Sequence, residues 1–319
     1  MAKVFTETKP RQCYDMILKV IKGEVDYDEE GCLNLISTLK SLSFNNEKQK
    51  EDRENCIDRK SSDGYWKGYT LLHVACIKGH TGIAALLIKN KASIDIENNK
   101  GWTPLHMACR YGHTNIATLL IENEAGIDIG INKGWTPLHM ACWQGHTDIA
   151  TLLIENEAGI NAVTKSAGLT PLHMACRYGH TDTATLLIEN RAGINAVTKY
   201  DQTPLHMACW HGHTDIARLL IENKADINAV TESGLTPLHY ACAFGYTAIA
   251  KLLIKSDANT TLINDEEKTP LDYIKDPMQK KELQQLAQEY QVKKTANRSA
   301  FFQPNNNNNE EPHCYNFTP

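Results

Sequence analysis

A four-residue block, Thr-Pro-Leu-His, returns along this chain at a nearly fixed interval. Full copies begin at Thr103, Thr136, Thr170, Thr203 and Thr236. A variant, Thr70-Leu71-Leu72-His73, precedes them, and another, Thr269-Pro270-Leu271-Asp272, follows. The histidines His73, His106, His139, His173, His206 and His239 are separated by 33, 33, 34, 33 and 33 residues. A period of this length marks a solenoid, in which a single unit cannot bury its own apolar face and must stack on its neighbours.

Residues 101–133 show the whole unit. Gly101-Trp102-Thr103-Pro104-Leu105-His106-Met107-Ala108-Cys109 comes first, then Gly112-His113, then Ile116-Ala117-Thr118-Leu119-Leu120-Ile121. Thr103 is placed to cap a first helix, its hydroxyl accepting from a backbone N–H that the helix leaves unpaired. Pro104 falls at the first helical position, where its missing N–H costs nothing. Gly112 suits a left-handed stop. Thr114 is expected to cap a second helix, and Ile116, Leu119, Leu120 and Ile121 give that helix an apolar face.

This unit resembles the ankyrin repeat. The resemblance covers residues 66–290 as seven units, near 66–100, 101–133, 134–167, 168–200, 201–233, 234–266 and 267–290, the terminal ones degenerate. It implies an all-α fold, a solenoid of stacked antiparallel helix pairs joined by hairpin-like loops. It also implies protein–protein binding without catalysis. By the same resemblance His106 hydrogen-bonds back toward Thr103, and Leu105, Ala108 and Cys109 face inward. One departure stands out. The glycine common after the second helix is missing, and the chain reads Ile121-Glu122-Asn123-Glu124-Ala125 and Ile154-Glu155-Asn156-Glu157-Ala158. Asn123 and Asn156 are expected to take the left-handed conformation there.

The apolar content is 42% and the formal charge −5, which gives no electrostatic reason to expect nucleic-acid binding. No apolar run approaches a membrane span. Met1-Ala2-Lys3-Val4-Phe5 lacks the apolar core of a secretory signal. Six of the ten cysteines (Cys76, Cys109, Cys142, Cys176, Cys209, Cys242) share one repeat position. Neighbouring repeats stand about one helix-packing distance apart, roughly 8–10 Å, whereas a disulfide needs Cα atoms within about 7 Å. A ladder of reduced, buried thiols is the expectation, and with it a reducing, cytoplasmic location. Cys13, Cys32, Cys56 and Cys314 lie outside the ladder.

The His-x-x-Cys spacing of each repeat offers two ligands where a zinc site takes three or four. Eleven of the 13 histidines fall on two structural positions, the block above and the Gly-His turn at His80, His113, His146, His180 and His213. Only His211 and His313 are left over. No metal and no cofactor are expected. There is no phosphate-binding glycine loop, no Gly-x-Ser-x-Gly elbow and no His-Glu-x-x-His pair, so neither an enzyme nor a small-molecule substrate is expected.

Function is expected to lie in the positions that vary. By the resemblance, the partner-facing surface comes from the residue before Thr-Pro and from two positions near the end of the first helix. These are Trp102, Arg110 and Tyr111; Trp135, Trp143 and Gln144; Leu169, Arg177 and Tyr178; Gln202, Trp210 and His211; and Leu235, Ala243 and Phe244. Four of the five tryptophans land there. Trp, Tyr and Arg dominate binding hot spots. Packing between repeats is the other reading of these rings, but it does not account for Leu169 and Gln202 at the same position.

The variation has its own period. Arg110-Tyr111 returns as Arg177-Tyr178 and Trp143-Gln144 as Trp210-His211, each 67 residues later. A two-repeat unit has been duplicated, and the one 34-residue spacing, around Ser166-Ala167, falls at the junction. Two binding stations follow as a hypothesis, beside the alternative of a duplication with one station in use.

The flanks say less. Residues 1–43 carry apolar residues at helical spacing (Met16, Ile17, Val20 and Ile21; Leu33, Leu35, Ile36, Leu39 and Leu42) and are expected to cover the N-terminal end of the stack, or else to form a small adaptor domain. Residues 44–65 read as a polar linker and 278–290 as a capping helix. Residues 291–319, with Asn305 to Asn309 in a row, read as a disordered tail. The chain is thus expected to be a scaffold for a protein partner. The alternative is an adaptor, or a secreted effector of an intracellular bacterium or parasite acting in the host cytosol, with the N-terminal region recruiting a second protein.

Overall fold

The computed structural model describes residues 15, 17–20, 58–61, 66–131 and 134–301, and it is helical, with no strand among them. Six helix pairs follow one another: α1 Leu71–Lys78 and α2 Thr81–Lys89, α3 Pro104–Tyr111 and α4 Thr114–Glu122, α5 Pro137–Gln144 and α6 Thr147–Glu155, α7 Pro171–Tyr178 and α8 Thr181–Glu189, α9 Pro204–His211 and α10 Thr214–Glu222, α11 Pro237–Ala243 and α12 Thr247–Lys255. A 3₁₀ turn, Pro270–Tyr273, and the helix α13 Pro277–Phe301 follow, the last elements among the described residues. The odd-numbered helices α1 to α11 stack on one another as an inner row, and the even-numbered helices form an outer row, with α13 packed on α12.

The block that announces the repeat builds both the helix start and the link to the next repeat. His106 Nδ1 accepts from the Thr103 N–H at 3.3 Å and from its hydroxyl at 2.8 Å, while the Thr103 hydroxyl accepts from the His106 N–H. His106 Nε2 lies 3.0 Å from the carbonyl of Trp135 in the following repeat. A ring nitrogen facing a carbonyl must carry the proton, so this histidine is the neutral Nε2–H tautomer. The same bond recurs from His73 to Trp102, His139 to Leu169, His173 to Gln202, His206 to Leu235 and His239 to Lys268. Burial in this sheath holds His73, His106, His139, His173 and His206 down at about 4.

A second histidine ladder runs backward. His113, His146, His180 and His213 each meet a carbonyl of the preceding repeat (Ile77, Arg110, Trp143 and Arg177) at 3.0 to 3.3 Å. Room for these rings comes from a glycine. Gly145 has φ +76°, and a Cβ on it would lie 2.4 Å from His180 Nδ1. A third ladder crosses the loops after the outer helices. The backbone N–H groups of Gly126, Gly159, Gly193, Asp226 and Asn259 donate to Asp95, Asp128, Asn161, Asn195 and Asn228.

That third ladder has a rung earlier than the array expected from residue 66. The Ser93 N–H donates to Asp58 Oδ1 at 2.9 Å, and the Ser93 hydroxyl donates to the same carboxylate. Ile57-Asp58 repeats the pattern of Ile94-Asp95 and Ile127-Asp128. Ser61 then pairs with Tyr69 as Thr164 pairs with Leu169. Upstream, Ile17, Leu18 and Val20 are buried in the same apolar core as Leu71 and Leu72. Met16, Ile21, the segment 31–42, most of 44–65 and the tail beyond 301 lie outside the described residues.

Three local expectations change. The left-handed residue after each outer helix is not the asparagine. Glu124 and Glu157 have φ +67°, Arg191 and Lys224 +65°, whereas Asn123 has φ −101°. Asn123 and Asn156 instead turn their amides back to the carbonyls of Leu119 and Leu152 at 2.8 Å, closing the helix end through the side chain. Thr114 is the first residue of α4, not its cap; His113 stands before it with no side-chain cap. Finally, α13 runs to Phe301 rather than stopping at 290. No Gly or Pro interrupts 278–301, so nothing in that stretch breaks a helix. Leu283 and Ala287 of α13 are buried, and Lys251 pairs with Glu282 at 2.6 Å.

The six ladder cysteines are free and buried, and desolvation pushes every one of their thiols up, Cys242 to about 12. Such thiols are packing groups rather than nucleophiles. Leu105, Ala108 and Cys109 are wholly buried, as are Ile116 and Leu120, with Leu119 and Ile121 half-buried against them.

Candidate partner-binding face

The histidine ladder fixes the hairpin residue before each Thr-Pro, because it is this residue's carbonyl that the preceding histidine holds. Its side chain is left to vary. The left-handed glycine at the end of each inner helix fixes where the last helical residues project. The two varying groups are therefore positioned by the parts that repeat.

In the first half of the array these groups converge. Arg110 lays its guanidinium 4.5 Å from the Trp143 ring centroid and 5.0 Å from that of Trp102. Trp135 meets Trp143 edge-on at 5.5 Å, and Tyr178 lies 6.1 Å beyond. Trp102, Arg110, Trp135 and Trp143 are half-buried. Together with Lys100, Ile131 and Met140 they line a cleft of about 440 Å³.

Two repeats on, a second cleft of about 370 Å³ uses the same positions, each shifted by 67 residues: Leu169, Arg177, Thr198, Gln202, Met207 and Trp210. Duplication has thus repeated the shape but not the chemistry. Leu169 stands where Trp102 was, and Gln202 where Trp135 was. The Arg177 guanidinium sits 5.7 Å from Tyr178. Trp210 is stacked instead on Tyr240 at 5.3 Å and His211 at 5.6 Å, with Phe244 nearly parallel at 6.4 Å. The Gln202 amide donates to the Tyr240 hydroxyl at 3.1 Å. Glu232 adds a carboxylate to this second cleft.

Tyr111, Gln144, Tyr178, Ala243 and Phe244 are exposed outside the two clefts, and Leu235 is half-buried. His211, stacked on Trp210, is held below its ordinary value by desolvation and by the nearby charges of Arg177 and His213. Sequence reasoning missed Lys100, Ile131 and Met140 in the first cleft and Tyr200, Glu232 and Tyr240 in the second. One was signalled: Tyr240 replaces the methionine that follows the block histidine in the four preceding repeats.

Among the described residues no group of three or more His, Cys, Asp or Glu could hold a metal ion, and no helix is long and apolar enough to cross a membrane.

A search of curated proteins finds no match to this chain. Among solved structures, the human ASB11 ankyrin repeat domain is similar, at 27% identity and a TM-score of 0.64, over 67% of this chain and 96% of that one. The ankyrin repeat domain of Bcl-3, a member of the IkappaB protein family, is similar at 28% identity and a TM-score of 0.60, over 68% of this chain and 99% of that one. The family described as ankyrin repeats in three copies matches residues 30–133, 91–164 and 156–231, and that described as many copies matches 212–254. The first match begins at residue 30, upstream of the Asp58 rung. With matches running through most of its length, the chain belongs to the ankyrin-repeat family.

Proposed function

We propose that this protein acts by binding a partner protein along its concave face, without catalysing a reaction on it. Ankyrin repeat domains generally mediate protein–protein interaction, and two solved relatives of this kind are similar to the chain. The observation that carries the reading is the placement of Trp143. It is half-buried at the mouth of a cleft, held by Arg110 and Trp135, in a position that the fold leaves free to vary. A ring needed only for packing between repeats would be retained, yet the same place holds Arg110, Arg177 and Ala243 in other repeats. Trp102, Arg110, Tyr111, Trp135, Trp143, Gln144, Arg177, Tyr178, Trp210, His211 and Phe244 form the contact surface in this reading. Aromatic and Arg side chains that a partner covers carry most of an interface's energy.

The test is quantitative affinity capture from a native lysate with the wild type and with a Trp143→Ala, Trp210→Ala variant, after circular dichroism shows equal folding. A protein held by the wild type and lost from the variant supports the concave face. Capture that is equal for both moves the site elsewhere.

A further inference from the structure

The two clefts share a shape and differ in charge, and that difference points to the kind of chain the first one accepts. Its lining holds two cations, Lys100 and Arg110, three indoles, Ile131 and Met140, with no carboxylate. Among the described residues, no ion pair involves Arg110. Its position is nonetheless fixed, because the guanidinium lies against two indole faces at 4.5 and 5.0 Å. A cation that is held by rings and lacks a counter-ion keeps its N–H edge available to an incoming anion. Charge along the hairpin tips follows the same direction. The two residues after the first paired residue of each hairpin include Lys100, Lys165 and Lys199 in the earlier repeats, then Glu232, Asp265 and Glu266 in the later ones. At these two positions the charged residues change from lysine in the earlier repeats to Glu and Asp in the later ones.

Resting on the concave-face reading, we infer that the first cleft takes an acidic peptide segment that places one bulky apolar side chain against Trp102 and Trp135 and a carboxylate on the Arg110 guanidinium. The cleft has room for a large side chain and the backbone that carries it, and the indoles supply rigid apolar walls. The carboxylate accepts a forked pair of hydrogen bonds from the guanidinium, a geometry that a lysine does not offer. The second cleft, with Glu232 and Gln202, does not share this preference, so an acidic segment is steered to repeats two and three and the register of a long partner is set by charge.

The experiment pans a phage-displayed library of random twelve-residue peptides on the full-length chain and measures the recovered sequences by fluorescence anisotropy as synthetic peptides. The expected peptides carry several Asp or Glu around a Phe, Leu, Trp or Ile. They lose at least tenfold in affinity on Arg110→Glu and on Lys100→Glu, and they weaken with added salt. Panning on the Arg110→Glu variant is expected to recover basic peptides instead. Peptides that are lost on Trp143→Ala, but are neutral or basic and indifferent to Arg110→Glu, overturn the acidic assignment and leave the concave face standing. Peptides indifferent to all four changes, Trp210→Ala included, overturn both.

Discussion

The Arg110 guanidinium lies over the face of Trp143, one repeat further on, at 4.5 Å from the ring centroid, and over Trp102 in its own repeat at 5.0 Å. Its backbone carbonyl meanwhile lies 3.3 Å from Nε2 of His146. One residue therefore belongs to both systems. Its main chain is part of the ladder that builds the solenoid, and its side chain orders the face that the solenoid displays.

That contact is expected to be energetically real but small, since the site is partly open to water. A double-mutant cycle with Arg110→Ala and Trp143→Ala, followed by urea unfolding, should give a coupling of about 0.5–1 kcal/mol. A coupling indistinguishable from zero means that the rings are ordered by something other than Arg110.

Gly145 and Gly245 give a matched comparison. Both end inner helices with positive φ, +76° and +73°, so both resist a side chain on backbone grounds. Only at Gly145 does a Cβ also meet the next repeat, 2.4 Å from His180 Nδ1, whereas at Gly245 nothing lies within 4 Å. Gly245→Ala should cost about 1 kcal/mol, the left-handed penalty alone. Gly145→Ala should cost clearly more, because the His180 to Trp143 bond must shift as well. Equal losses in urea midpoint for the two variants would remove that ladder from the account of stability.

The residue after each asparagine offers a gain. Glu157 holds φ +67° with a full side chain, a conformation that costs an L residue roughly 1–2 kcal/mol. Glu157→Gly is expected to raise stability by up to about 1 kcal/mol, after the entropy that glycine adds to the unfolded chain. Asn156→Gly is expected to lower it, because the amide that closes the helix on Leu152 is lost. Thermal unfolding of the two variants should give opposite signs, and a loss from both would mean that Glu157 carries no strain.

Acid should loosen the array before the carboxylates titrate. His73, His106, His139, His173 and His206 are held at about 4 by burial, against an ordinary value of 6.5. Between those values the unfolded chain binds protons that the folded chain refuses, so stability is full above pH 6.5 and falls as the pH drops toward 4. Each such histidine carries a slope approaching about 1.4 kcal/mol per pH unit. Urea midpoints at pH 7.5, 6.0 and 5.0 should fall steadily. A flat profile would show that the Thr–His–carbonyl unit tolerates a charged ring.

What could be read from the sequence was whatever repeats. The threonine cap, the proline, the inward Leu-Ala-Cys positions and the left-handed glycine each have a local cause that returns every 33 or 34 residues, and the structure has them where the spacing predicts. Features settled by competition between neighbours were not legible. Asparagine tolerates the left-handed region better than glutamate does, yet here its amide satisfies a helix carbonyl, and the strain passes to Glu124 and Glu157. Asp58 lacked the block that marks the other repeats, so the earlier rung emerges from its bond to Ser93 and the pairing of Ser61 with Tyr69 rather than from the spacing of the block. The varying positions were legible because they break the repeat. Their division into two clefts of unlike charge depends on Lys100, Glu232 and Tyr240, which reach the site from neighbouring hairpins and helices.

The central claim is that the partner meets the concave aromatic face, and site-specific photo-crosslinking tests it most directly. Benzoylphenylalanine is introduced singly at positions 143 and 210 on that face, and at 155 and 222, where Glu155 and Glu222 are exposed at the ends of outer helices. Irradiation in native lysate should join the same partner to positions 143 and 210 and leave 155 and 222 unlinked. Crosslinks at 155 and 222 alone would contradict it and place recognition on the outer row of helices.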